Sequence, residues 1–121
     1  MDQPKSFTNL ETWKEAHKLV ILIYKMTKGF PKEEMFGLTS QIRRAAVSVT
    51  SNIAEGYGRR HLKEKINFYY ISIGSLSEIE NQLLIARDIG YVSEELSKEL
   101  QDQTITTRKM CYGLIKSISI R

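Results

Sequence analysis

The chain has 121 residues, 41% of them hydrophobic and 26% charged, with a formal net charge of +4, one cysteine and two prolines. That length suits one domain over residues 1–121, and at this size roughly two-thirds of the unfolded surface can be buried, so a core needs neither metal nor disulfide. A lone cysteine excludes an internal disulfide, only His17 and His61 are available to a metal shell, and no apolar run approaches the roughly 18 residues of a membrane span. The expectation is a cytoplasmic protein with no metal, no cofactor, no catalytic residue and no membrane partner.

Four helical segments account for nearly all of the sequence. The first covers about 10–28, with Asn9 as its predicted N-cap and Leu10, Trp13, Ala16, Val20, Ile23 and Tyr24 recurring mostly every three or four residues. Gly29 and Phe30-Pro31 end it, because proline drives its predecessor out of the helical region. The second covers about 34–55, with Leu38, Ile42, Ala45, Ala46, Val49 and Ile53 as its core stripe. Val47 and Ala54, with Thr50 between them, form a weaker strip of small side chains that lets another helix come close. Gly56-Tyr57-Gly58 is expected to break the helix, with positive φ allowed at the turn.

The third segment, about 61–89, is the longest, roughly 40 Å at helical rise. Leu62, Ile66, Tyr69, Tyr70, Ile73, Leu76, Leu83 and Leu84 form its main apolar stripe, and Phe68, Ile79 and Ala86 an adjacent line. Two lines imply burial on two sides, more than one four-helix core requires. Gly90 closes this helix and Ser93 caps the fourth, about 93–118, whose first turn places Glu94 and Glu95 at the positive end of the helix dipole. Leu96, Leu100, Gln103, Thr107, Met110, Leu114 and Ile118 mark its inward side. Gln103-Thr104-Ile105-Thr106-Thr107 is polar and β-branched, which leaves a short strand as the alternative there. Short connections between the segments predict an all-α fold, an antiparallel up-down-up-down four-helix bundle.

Residues that invite a chemical reading mostly reduce to packing. Trp13, Tyr24, Tyr69 and Tyr70 stand at helical spacing among apolar neighbours and read as core or interface rather than as base-stacking rings. Cys111 reads as an inert small hydrophobe. A di-iron bundle needs a Glu-x-x-His unit, but Lys14 precedes His17 and Gly58 precedes His61 at that offset, and Glu78 and Glu80 point to different faces. On the second helix Arg44, Ser48, Ser51 and Glu55 lie along one side with Asn52 beside them, followed by Gly56. This polar motif has two readings: a groove for an oligonucleotide or peptide, and, preferred, a hydrogen-bonded network between helices with Asn52 or Glu55 capping the following turn.

Charge is segregated along the chain. Between residues 43 and 65, Arg43, Arg44, Arg59, Arg60, Lys63 and Lys65 face only Glu55 and Glu64, so that segment alone carries the net charge of the protein. From residue 103 onward Arg108, Lys109, Lys116 and Arg121 have no acid among them. Such clusters are either a solvated surface or a phosphate-binding patch, and the second reading gains if they converge in space or are multiplied by symmetry.

Residues 41–60, QIRRAAVSVTSNIAEGYGRR, resemble a known signature. Together with the Leu10 to Trp13 opening, Phe30-Pro31 before Glu34 and Gly37-Leu38, Gly74-Ser75-Leu76 with Glu78 and Glu80, and the Ala86 to Tyr91 turn, they make the chain similar to the proteins encoded in intervening sequences of bacterial 23S ribosomal RNA genes, also called the S23 ribosomal protein family. The accessory protein of diversity-generating retroelements resembles the same family. One departure is Thr50, where many relatives carry proline.

The resemblance implies a ring-like homopentamer without established enzymatic activity; in the retroelement branch a positively charged pentamer is implicated in engaging nucleic acid and a reverse transcriptase. It would bury the surplus apolar line of the third helix between subunits and turn +4 per chain into about +20 per ring. The expected function is a non-catalytic homo-oligomer that binds RNA or DNA through a basic surface, with an oligomeric protein-interaction scaffold lacking a nucleic-acid ligand as the alternative. The candidate phosphate contacts are Arg43, Arg44, Arg59, Arg60, Lys63 and Lys65, then Arg108, Lys109 and Lys116; Arg43 and Arg44 diverge on the helix, so one suits an intersubunit salt bridge and the other solvent.

Overall fold

Four helices and two short 3-10 turns make up the computed structural model of the protein, which describes residues 6–119. A 3-10 turn, Phe7–Asn9, precedes α1 (Glu11–Thr27); a second, Lys32–Glu34, precedes α2 (Leu38–Gly58), followed by α3 (Leu62–Asp88) and α4 (Glu94–Ser119). Consecutive helices run antiparallel. Ser72 Oγ donates to the Val49 carbonyl at 2.9 Å, the Ser75 and Ser48 hydroxyls meet at 2.9 Å, and Gln103 Nε2 reaches both the Glu15 carbonyl and its carboxylate across α1 and α4. The up-down-up-down bundle read from the sequence is the observed fold.

The core runs along the axis through Leu19, Ile23, Ile42, Val49, Ile53, Leu76, Ile79, Leu83 and Leu100, all fully buried. On α2 the expected stripe is the buried one. On α3 it is rotated: Tyr69, Ile73, Leu76, Ile79, Leu83 and Ala86 face inward, while Leu62, Tyr70 and Leu84, assigned above to the core stripe, are exposed. Ile79 and Ala86 therefore belong to the core line and not to a second one. With apolar residues on both its inner and outer sides, α3 offers no single sequence stripe from which to choose the inward face. On α4 the inward line is Leu100, Thr104, Thr107, Cys111, Ile115 and Ile118. The polar, β-branched stretch is helical, and its two buried threonines are satisfied: Thr104 Oγ1 and Thr107 Oγ1 return hydrogen bonds to the carbonyls of Leu100 and Gln103 at 2.7 and 2.8 Å.

The helix ends differ from expectation in instructive ways. Leu10, not Asn9, is the N-cap of α1 and makes no side-chain cap bond; Asn9 closes the 3-10 turn, which Ser6 caps. Glu34 lies before α2 rather than inside it, and its Oε1 accepts from the Leu38 N–H at 3.0 Å. Its Oε2 accepts from the Tyr91 hydroxyl at 2.8 Å, which ties the start of α2 to the α3–α4 turn. The Leu38 N–H first and the Tyr91 hydroxyl second hold the Glu34 carboxyl below the usual carboxylate range.

Within Gly56-Tyr57-Gly58, α2 continues through Gly56 and Tyr57 and ends only at Gly58, three residues later than expected. A Cβ on buried Gly56 would fall 2.6 Å from Tyr69 Cε1 and 3.1 Å from Phe68 Cβ, so glycine stands there to let α3 come close. Among the described residues only Gly90 has positive φ, at 87°. There the Tyr91 N–H bonds to the Ala86 carbonyl at 2.8 Å and the Gly90 N–H to the Arg87 carbonyl at 3.1 Å, the paired closure of a Schellman turn. Ser93 Oγ accepts from the Leu96 N–H at 3.1 Å and caps α4 as expected.

Candidate nucleic-acid interface

Antiparallel connectivity puts the end of α2, the start of α3 and the end of α4 at one end of the bundle. Arg59, Arg60, Lys63, Lys65 and Lys116 thus meet there, although they come from two segments more than fifty residues apart. Lys109 stands two turns, roughly 10 Å, back along α4. Arg121, counted with this cluster from the sequence, lies outside the described residues.

The cations at this end divide into braces and exposed charges. Lys65 Nζ donates to the carbonyls of Tyr57 and Gly56 at 2.7 and 3.2 Å, closing the C-terminus of α2 where the helix dipole favours a cation. Arg59 pairs with Glu55 at 2.9 Å and lies 4.7 Å over the Phe68 ring. Arg60, Lys63, Lys109 and Lys116 are exposed. At this end they are the part of the predicted set available to a phosphate.

The other candidates lie elsewhere. Arg43 and Arg44 are about fourteen residues up α2 from its basic end, roughly 20 Å away. Arg43 is occupied within the chain: its Nε donates to Thr27 Oγ1 at 2.8 Å and its guanidinium lies 4.6 Å over the Tyr24 ring. Arg108 bonds to the Glu80 carboxylate across the α3–α4 interface and is partly buried. These two arginines hold helices together.

Arg44 faces a groove of about 410 Å³ between α2 and α3, walled by Gln41, Ser48, Ser75, Glu78, Asn81 and Gln82. The polar motif of α2 is partly built into its floor. Asn52 Nδ2 donates back to the Ser48 carbonyl at 2.8 Å and to Ser48 Oγ at 3.1 Å, and Ser48 Oγ also meets Ser75 Oγ. The interhelical network is therefore real, but Asn52 bonds backward along α2 and Glu55 pairs with Arg59, so neither caps the following turn; Ser51 is exposed and outside the network. The Gln82 Oε1 atom is buried without a hydrogen-bond partner.

Sequence reasoning missed Tyr112 and misplaced Tyr70. Both rings are half exposed on the α3–α4 seam, with centroids 6.4 Å apart. The signal for Tyr112 was its spacing from Lys109 and Lys116, which sets all three on one stripe of α4. Burial pushes the Cys111 thiol up to about 12, so its thiolate is not populated at neutral pH. The Tyr69 hydroxyl, also buried, is raised to about 12. Among the described residues no three His, Cys, Asp or Glu side chains converge as metal ligands, and no helix is long and apolar enough to cross a membrane.

Fold and surface together define a small all-α four-helix bundle with a cationic end. Residues 8–113 match the 23S rRNA-intervening sequence protein family, and the chain belongs to it. A crystal structure of a protein of unknown function from the S23 ribosomal protein family of Bacteroides thetaiotaomicron VPI-5482 has the same fold. Its TM-score is 0.81 at 20% identity, over 87% of this chain and 98% of that one. No curated protein matches the sequence.

Proposed function

We propose that the protein is a non-catalytic homo-oligomer, a ring-like pentamer, that binds RNA or DNA through its basic end. The observation that carries this reading is the meeting of Arg60, Lys63 and Lys116 at one end, with Lys109 close behind, although the sequence separates them. Each phosphate neutralised by such a cation releases counterions, and a ring repeats the patch, which raises the affinity of a modest charge per chain. Exposed apolar side chains support assembly: Ile21, Tyr24 and Val47 on the α1–α2 flank, and Ile71, Ile85 and Ile89 on α3.

The test is a titration of mixed RNA and DNA from about 50 to 200 mM salt with mass measurement of free and bound species. Binding that weakens steeply with salt, and falls when Arg60, Lys63, Lys109 and Lys116 are changed to Gln together, supports the reading. Absence of binding at low salt removes the nucleic-acid part, and a monomer at micromolar concentration removes the ring. The scaffold reading draws on the α2–α3 groove, where Arg44 and Glu78 offer opposite charges and Gln82 an unpaired acceptor, a lining suited to polypeptide.

A further inference from the structure

We infer that the α3–α4 seam beside the basic end is a stacking platform for single-stranded nucleic acid, with Tyr70 and Tyr112 as the rings on which bases lie. The inference rests on the nucleic-acid reading above and narrows it to unpaired strands. Tyr70 is 50% and Tyr112 48% exposed, whereas the neighbouring Tyr69 is 2% exposed in the core. The two exposed rings stand edge to face, 77° apart in plane, an arrangement that steadies both while leaving π-surface in water.

Three exposed lysines surround the pair. Lys63 lies seven residues before Tyr70 on the same stripe of α3, and Lys109 and Lys116 lie three before and four after Tyr112 on α4. Antiparallel packing sets Lys63 and Lys116 on the end side of the rings and Lys109 on the other. No acid opposes them from α4, which has none after Asp102. Glu64, next to Lys63, lies on the flank of α3 that Phe68 and Ser75 turn toward α2.

Space completes the site. Gly74, one turn beyond Tyr70, and Gly113, beside Tyr112, each have nothing within 4 Å of where a Cβ would stand, so packing does not require glycine at either position. Both glycines weaken a helix interior and both leave the approach to a ring clear. Aromatic faces among cations, with the seam acid Glu80 already paired to Arg108, are what an unpaired strand recognises, bases on rings and phosphates on lysines; duplex bases are already stacked and cannot use the rings.

The experiment measures anisotropy of fluorescein-labelled oligo-uridine and oligo-thymidine of about 20 nucleotides, beside a duplex of equal length, at low salt. Replacing both rings (Tyr70→Ala, Tyr112→Ala) should weaken strand binding about tenfold or more while duplex binding and the salt slope stay unchanged. Tyr70→Phe with Tyr112→Phe should bind as the parent protein does. Strand affinity unchanged in the alanine variant, alongside loss in the lysine-neutralised variant, overturns the platform and leaves the electrostatic reading standing. An alanine variant with altered particle mass but unchanged binding assigns the rings to a protein interface and also overturns it. If the parent protein binds neither strand nor duplex, both readings fall. Photo-crosslinking of a 4-thiouridine strand to the parent protein needs no variant: adducts at Tyr70 or Tyr112 support the platform, and adducts confined to other residues reject it.

Discussion

At the α3–α4 end of the bundle the chain reverses through hydrogen bonds: Gly90 at φ 87°, the paired Tyr91 and Gly90 N–H bonds, and the Glu34 carboxylate joining Leu38 and Tyr91. At the α2–α3 end the reversal is held by close packing, with Gly56 under Tyr69, and by Lys65 and Arg59 as cationic braces. Each end depends on a glycine, for opposite reasons. Gly90 is needed for a backbone angle, Gly56 for the missing side chain. The ends also differ in charge: at the first, Glu33, Glu34, Asp88, Glu94 and Glu95 offset Lys25, Lys28, Lys32 and Arg87, whereas at the second the cations outnumber the acids. Cations braced at the second end set the frame from which the unbraced ones project, so only part of the positive charge is available to a ligand.

The largest predicted effect compares these ends by charge. Changing Arg60, Lys63, Lys109 and Lys116 to Gln should weaken RNA binding about 100-fold at 50 mM salt and flatten its salt dependence. Changing Lys25, Lys28 and Lys32 to Gln at the opposite end should leave it nearly unaltered. Equal losses in the two variants, read by anisotropy, would mean that net charge and not the basic end governs binding.

Next comes Gly56→Ala. Alanine favours a helix by about 1 kcal/mol, but a methyl group driven against the Tyr69 ring should win, with a net loss of about 1–3 kcal/mol in urea unfolding. A variant as stable as the parent would show that the α2–α3 approach is looser than the contact distances imply. Gly90→Ala should cost about 1 kcal/mol, because a side chain at positive φ meets the following carbonyl. Its penalty should persist when the Glu34 contact is removed, since it arises in the backbone.

The smallest effect is Glu34→Gln, a shift of the melting temperature below that of either glycine variant. Its signature is pH dependence. The folded state lowers the Glu34 pKa from 4.5, so the stabilisation is present above that value and is lost as pH falls through the folded pKa. The parent protein should therefore lose stability on acidification more steeply than the Gln variant, and parallel melting curves from neutral pH to about pH 3 would exclude the clasp.

On the alkaline side the sign is reversed. Burial raises the Cys111 thiol and the Tyr69 hydroxyl to about 12 from 9.0 and 10.0, so the stabilisation they give is present below those ordinary values and fades as pH rises through the folded ones. Thiol titration of the native protein at pH 8 should be slow and become fast on unfolding.

The α2 stripe, the caps at Ser93 and Gly90 and the number of helices were legible because each is a local pattern: a period, a hydroxyl ahead of a helix, a glycine behind one. The inward face of α3 was not, since Tyr70, Ile71, Leu84 and Ile85 outside mimic the stripe inside, and only packing against α2 and α4 distinguishes them. Nor was the job of Gly56, because a glycine that admits a ring and a glycine that turns a chain look alike until the ring is in place. Sequence by itself determined the all-α class, the antiparallel order and the uneven charge along the chain. Tertiary structure alone decided which cations are braces and which are exposed, and that Tyr70 and Tyr112 meet on one seam. The reason is that helix formation depends on neighbours within a few residues, whereas a surface is assembled from side chains that only the folded bundle brings together.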